Sequence, residues 1–152
     1  MPHFTGFAEL RRPRDLVEKL QHDYERLAAN SGDTYAAFDF FITAEHILDW
    51  LHPDRTGKAS REAERGSSPL LEVTSHIANG AKHFVASGTQ HNSVRGIEQQ
   101  GYADGYAEPG YFEEPIVVKL SPNEATFFGT TELEAVVLAK RVLEYWQGRI
   151  PP

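Results

Sequence analysis

A predicted helix near the middle of the chain carries the side chains best suited to chemistry. Glu72, His76, Asn79 and His83 follow one another at i, i+4, i+7 and i+11, so a helix places them on one stripe. That stripe lies opposite the apolar face of the same helix. A carboxylate, two imidazoles and a carboxamide can exchange protons and hydrogen-bond a polar ligand. The pattern predicts either a solvated helix surface or a site whose catalytic residues are Asn79, His83 and His76.

A second polar stripe interrupts the apolar helix that precedes it. Its members are Asp39, Thr43 and His46, with Glu45 and Asp49 to one side. Polar groups in an otherwise apolar helix either face water or need partners, so one interpretation is a structural His46 hydrogen-bonded to a carboxylate. If the two stripes face each other, Asp39, His46, His76 and His83 form one polar cleft. The ligand-binding residues predicted there are Asp39, His46 and Glu72.

Metal chemistry is an open alternative for the same residues. Glu72 and His76 at i, i+4 can reach one ion, and with His46 they would make a metal-dependent hydrolase. His76 and His83 are about 10.5 Å apart along a helix axis, too far to share an ion easily. Neither His-Glu-x-x-His nor Glu-x-x-His occurs, so whether a metal binds stays unknown. Phosphate-binding glycine motifs are also missing, and we expect no cofactor.

The run Ala78-Asn79-Gly80-Ala81-Lys82-His83 resembles the signature of HEPN domains, small helical proteins of prokaryotic toxin and defence systems. That signature is Arg, a polar residue that is often Asn, three further residues and His, placed on a helix. Asn79 and His83 match it, whereas Ala78 stands where the family has Arg. The resemblance implies metal-independent RNA cleavage, typically at a dimer interface, with RNA as a partner. Without the arginine it implies a degenerate member of the family.

Composition limits the class of protein. The chain has 152 residues, 40% of them hydrophobic, which predicts one domain with a proper core. It has no cysteine, which excludes disulfides, thiolate metal sites and a cysteine nucleophile. The net charge of -7 argues against broad nucleic-acid binding. The most apolar stretch, residues 36–51, is interrupted by Asp39, Glu45, His46 and Asp49, so we expect no membrane segment. The expected class is a cytoplasmic, bacterial-type protein.

The elements that must position these residues are mostly helices. The fold class predicted is mainly α: a four-helix bundle with a β-hairpin inserted before the C-terminal helix, in one domain over residues 1–152. The predicted helices cover residues 13–30, 34–51, 69–85 and 132–147, and the hairpin covers 115–129 with strands at 116–120 and 125–128. Thr131 and Glu134 form a capping box for the last helix. Residues 54–65 are expected to form a surface connection with one or two helical turns.

The connection between the third helix and the hairpin has an unusual composition. Residues 101–108 repeat a Gly-Tyr-Ala-acid unit, and residues 98–114 contain five acids with no lysine or arginine. Loops this long are often functional, so the 98–114 loop is predicted to contact a protein partner. With an available hairpin edge and no complete catalytic constellation, the leading hypothesis is a homo-oligomeric binding or regulatory module. The HEPN-like ribonuclease and the metal-dependent hydrolase are its alternatives.

Overall fold

The four long helices form where apolar residues recur at helical spacing, and a three-stranded antiparallel sheet packs with them. The structure, a computed structural model, describes residues 4–84, 92–99 and 114–152. Its elements are α1 (Pro13–Ala29), α2 (Thr34–Leu51), α3 (Lys58–Gly66), α4 (Pro69–His83), β1 (Val94–Gln99), β2 (Ile116–Leu120), α5 (Pro122–Phe128), β3 (Glu132–Glu134) and α6 (Ala135–Arg149). The predicted fold class, mainly α with an antiparallel hairpin before the last helix, is confirmed.

The helices pack around one apolar cluster. α2 lies at its centre, against α1 on one side and α4 on the other, and α6 closes the bundle against α1. Leu20, Phe40 and Trp146 are fully buried in this cluster. The Asp33 side chain accepts a hydrogen bond from the Ala36 backbone N–H at 3.0 Å, which caps α2 as an aspartate at this position should. No helix within the described ranges is long and apolar enough to cross a membrane.

A short charged helix, α3, fills part of the predicted surface connection. None of its residues is buried, so packing alone does not hold it in place. Glu64 attaches it instead: its carboxylate hydrogen-bonds the His52 ring at 2.7 Å and accepts bonds from Arg149 Nε at 2.7 Å and the Tyr145 hydroxyl at 3.2 Å. These bonds link α3 to the end of α2 and to α6.

The strand at 116–120 forms as predicted, but the prediction that it pairs with a strand at 125–128 is wrong. β2 pairs on one side with β1 and on the other with β3, in an antiparallel sheet of order β1-β2-β3. Residues 125–128, predicted as a strand, belong to α5. Pro122 fits the first turn of that helix, and Gly129, at a φ of 74°, provides the left-handed residue that ends it. These two helix signals prevail over the strand preference of the aromatic residues between them.

The start of α6 and the end of α4 also differ from the prediction. α6 begins at Ala135 rather than 132, because residues 132–134 pair with β2 as β3. Glu134 is therefore the extended N-cap residue of α6 and makes no side-chain cap, so the predicted capping box does not form. α4 ends at His83, and Phe84 follows it with a φ of 67°, which stops the helix before residue 85.

Candidate functional site

The polar stripe predicted on α4 is divided between two clefts. His76 lines a cleft next to the sheet, Asn79 lines a second cleft next to α2 and α3, and His83 is exposed and lines neither. Glu72 is half-buried, and its backbone carbonyl accepts a hydrogen bond from Ser93 Oγ at 3.3 Å. The predicted stripe is thus neither one site nor a uniformly solvated surface.

His76 fastens the first strand of the sheet to α4. Its Nδ1 accepts hydrogen bonds from the backbone N–H groups of Ser93, at 3.1 Å, and Val94, at 3.0 Å. Two donors at one ring nitrogen require that nitrogen to be unprotonated, so the ring proton lies on Nε2 in the neutral form. His76 therefore positions the start of β1.

The apolar cleft is a cavity of about 480 Å³ between α2, α4, β1 and β2. Its apolar lining includes Ala37, Phe41, Ile77, Ile116, Val118 and Ala135. Three larger side chains at its rim, Phe38, Phe84 and Ile97, are exposed, Phe84 to 93%. Polar groups also contribute to the lining, among them His76 and Arg95. An apolar cavity of this size with a few polar groups is typical of a binding site.

The polar cleft is a cavity of about 530 Å³ between α2, α3 and α4. Its lining consists of Ile42, Glu45, His46, Asp49, Arg65, Ser75, Ala78, Asn79 and Lys82. It brings together His46 and Asn79 from the two predicted stripes. Both signs of charge are present, so this cleft differs in chemistry from the apolar cleft on the other side of α4.

A largely buried ion pair lines the polar cleft. Arg65 Nη2 donates to Glu45 Oε1 at 2.6 Å, and the Glu45 side chain is only 13% exposed. Burial raises the pKa of Glu45, and the nearby positive charge of Arg65 opposes that shift. Arg65 Nε is buried and has no hydrogen-bond partner. The sequence predicts Glu45 beside a polar stripe and Arg65 at the end of the surface connection over residues 54–65, and it does not predict that the two pair.

The N-terminal half of the α2 stripe faces α1 instead of α4. Asp39 accepts a hydrogen bond from Arg26 at 3.0 Å, and the Thr43 hydroxyl donates to the buried Asp23 carboxylate at 3.0 Å. Lys19 donates to both Asp23 and Thr43. The condition for a cleft shared by the two stripes is therefore not met at Asp39, which pairs with α1, while His46 lines the polar cleft and His76 the apolar cleft.

The residues predicted for a metal-dependent hydrolase and for a HEPN-like ribonuclease are separated in the structure. His46 lines the polar cleft and His76 the apolar cleft, and the described residues include no group of three or more His, Asp or Glu side chains that could hold a metal ion. Ala78, at the arginine position of the HEPN-like run, is buried. Asn79 Nδ2 donates to the Ser75 carbonyl at 2.8 Å. Most of the predicted partner loop, residues 100–113, lies outside the described residues.

Comparison with known proteins identifies no relative. No protein-family model, curated protein or solved structure matches the chain. Evidence for function therefore comes from the two clefts and from the groups that line them.

Proposed function

We propose that this protein is a non-enzymatic binding module that self-associates through the rim of the apolar cleft. The observation that carries the proposal is the exposure of Phe38, Phe84 and Ile97 around one cavity. These side chains come from α2, the end of α4 and β1, so they form a surface built by tertiary structure rather than one exposed helix face. Contiguous exposed apolar surface on a small protein typically marks an interaction site.

The strand beside the cleft supports a second copy of the chain as the partner. Within the described ranges, β1 has a neighbouring strand on one side only, β2. A bulge at Arg95 interrupts its pairing with β2, and the register is regular from Gly96 to Gln99. An open strand edge can pair with the same edge of another chain across a two-fold axis. Such pairing would bring together the Ile97 side chains and cleft rims of the two copies.

Light scattering over a wide range of protein concentrations tests the proposal. We expect a mass of two chains for the wild type and a shift toward one chain in Phe84→Ser and in Ile97→Lys. Burying one such side chain contributes about 1.5–3 kcal/mol, and each substitution is present in both copies, so each variant should weaken the dimer by roughly 100-fold or more. Val137→Lys is the matched control, because Val137 is an exposed apolar residue on α6 that does not line the cleft.

Two results would contradict the proposal. One is a wild-type protein that stays a single chain at every concentration. The other is a dimer that Val137→Lys weakens as strongly as Ile97→Lys, since the interface would then lie elsewhere. Circular dichroism of each variant verifies that a change in mass does not come from unfolding.

A further inference from the structure

The polar cleft has charges of opposite sign on facing elements. α2 contributes the carboxylates of Glu45 and Asp49, while α3 contributes Arg65 and α4 contributes Lys82. The Asn79 carboxamide lines the same cavity. This separation of charge by element gives the cleft an acidic side and a basic side.

Several of these groups retain capacity to bind a ligand. Lys82 is exposed and takes part in none of the ion pairs found among residues 4–84, 92–99 and 114–152. The Asp49 carboxylate is 52% exposed and meets a cation only at 3.7 Å, from Arg61 Nε. Arg65 bonds Glu45 through Nη2, which leaves its buried Nε without an acceptor. Among the described residues that line this cleft, the close ion pair is the one between Glu45 and Arg65.

We propose that the polar cleft binds a free α-amino acid. The ligand carboxylate lies toward Lys82 and Asn79 on α4, and the ligand ammonium lies toward Asp49 on α2. Ile42 and Ala78 provide apolar lining for the side chain of the amino acid. The volume of about 530 Å³ lies within the range of small-molecule sites.

The charges favour a zwitterion over a ligand of one sign. A simple anion would be attracted by Lys82 and Arg65 and repelled by Asp49 and Glu45, and a simple cation would meet the reverse arrangement. A zwitterion oriented across the cleft places its carboxylate toward Lys82 and its ammonium toward Asp49, so each of its charges lies nearest a charge of opposite sign. Because the site involves no residue of the apolar cleft, the inference is independent of the proposed self-association.

Calorimetric titration with glycine, L-leucine and L-glutamine tests the inference. L-leucine methyl ester lacks the carboxylate charge, and N-acetyl-L-leucine lacks the ammonium charge. We expect at least one free amino acid to bind, and both blocked forms of leucine to bind roughly 10- to 100-fold more weakly than leucine, the effect of losing one charge-assisted hydrogen bond. Failure of all three amino acids to bind would overturn the inference. So would equal binding of N-acetyl-L-leucine, which indicates an anion site, or of the methyl ester, which indicates a cation site.

Variants then locate the binding. Lys82→Gln and Asp49→Asn should each weaken the tightest amino acid by about tenfold or more. Lys140→Gln and Glu144→Gln are matched controls, since both residues are exposed on α6 outside the cleft, and they should leave the affinity unchanged. Binding that is insensitive to both cleft variants would refute the assignment of the site.

Discussion

Replacing His76 by alanine should release the start of β1 from α4. The change removes the acceptor of the Ser93 and Val94 backbone N–H groups. Ser93 is 1% exposed in the folded protein, and a buried donor left unsatisfied costs about 1–3 kcal/mol. Val94 is half-buried and should contribute toward the lower end of that range. We therefore expect His76→Ala to lower the free energy of unfolding by about 2–4 kcal/mol.

Urea denaturation measures the loss of stability, and amide hydrogen exchange measures the release of the start of β1. The midpoint of unfolding should fall, and the amides of Ser93 and Val94 should lose protection before those of the α2 core. His76→Asn retains a side-chain acceptor and should recover part of the loss. His83→Ala is the matched control on the same helix: His83 is exposed, and such substitutions typically change stability by less than about 0.5 kcal/mol. Equal loss in His76→Ala and His83→Ala, or unchanged exchange at residues 93 and 94, would refute the reasoning.

Three further predictions concern other parts of the molecule. Thr43→Val removes the hydroxyl that donates to the buried Asp23 carboxylate and should lower the free energy of unfolding by about 1–3 kcal/mol in urea denaturation, although the side-chain volumes are similar. Burial raises the pKa of Glu64, but hydrogen bonds led by that from His52 outweigh burial and hold the pKa below its usual value of 4.5. The stability that the Glu64 carboxylate contributes is therefore complete above pH 4.5 and is lost as the pH falls through the pKa of the folded state. Glu64→Gln should flatten the acid limb of a profile of unfolding free energy against pH. RNA incubated with wild type or with His83→Ala should stay intact by gel electrophoresis, and cleavage by wild type alone would favour the HEPN-like ribonuclease over a non-enzymatic module.

Local sequence signals were sufficient for the four long helices and for β2, and insufficient for α5 and for the pairing of the sheet. The start of α1 at Pro13 and the end of α2 at Leu51 follow from proline position and apolar spacing, which are properties of neighbouring residues. β1 lay inside a segment interpreted as a loop, because its partner strand is more than fifteen residues away and only one of its residues, Val94, forms apolar contacts with the core. Strand pairing depends on contacts between residues that are distant in the chain, and the pattern of neighbouring residues does not reveal these contacts.

The same limit applies to the candidate site. His76 and Asn79 were correctly placed on one helix, but which cleft each would line depends on how α4 packs between α2 and the sheet. Arg65 was missed as a site residue because its partner, Glu45, is 20 residues away. A glutamate in an otherwise apolar helix was the available signal, since such a carboxylate needs a partner when buried.

The pairing of Gln99 with Ile116, where the chain leaves β1 and enters β2, has a practical consequence for engineering. Gln99 Nε2 also donates to the carbonyls of Glu114, at 2.9 Å, and Gly32, at 3.0 Å, so the two ends of the intervening segment are held together by the folded body of the protein. The entropy of closing a chain between fixed ends grows only with the logarithm of its length, and doubling that length costs about 0.6 kcal/mol. A fluorescent reporter or affinity peptide inserted between residues 99 and 114 should therefore leave the helical bundle folded and the polar cleft open to titration.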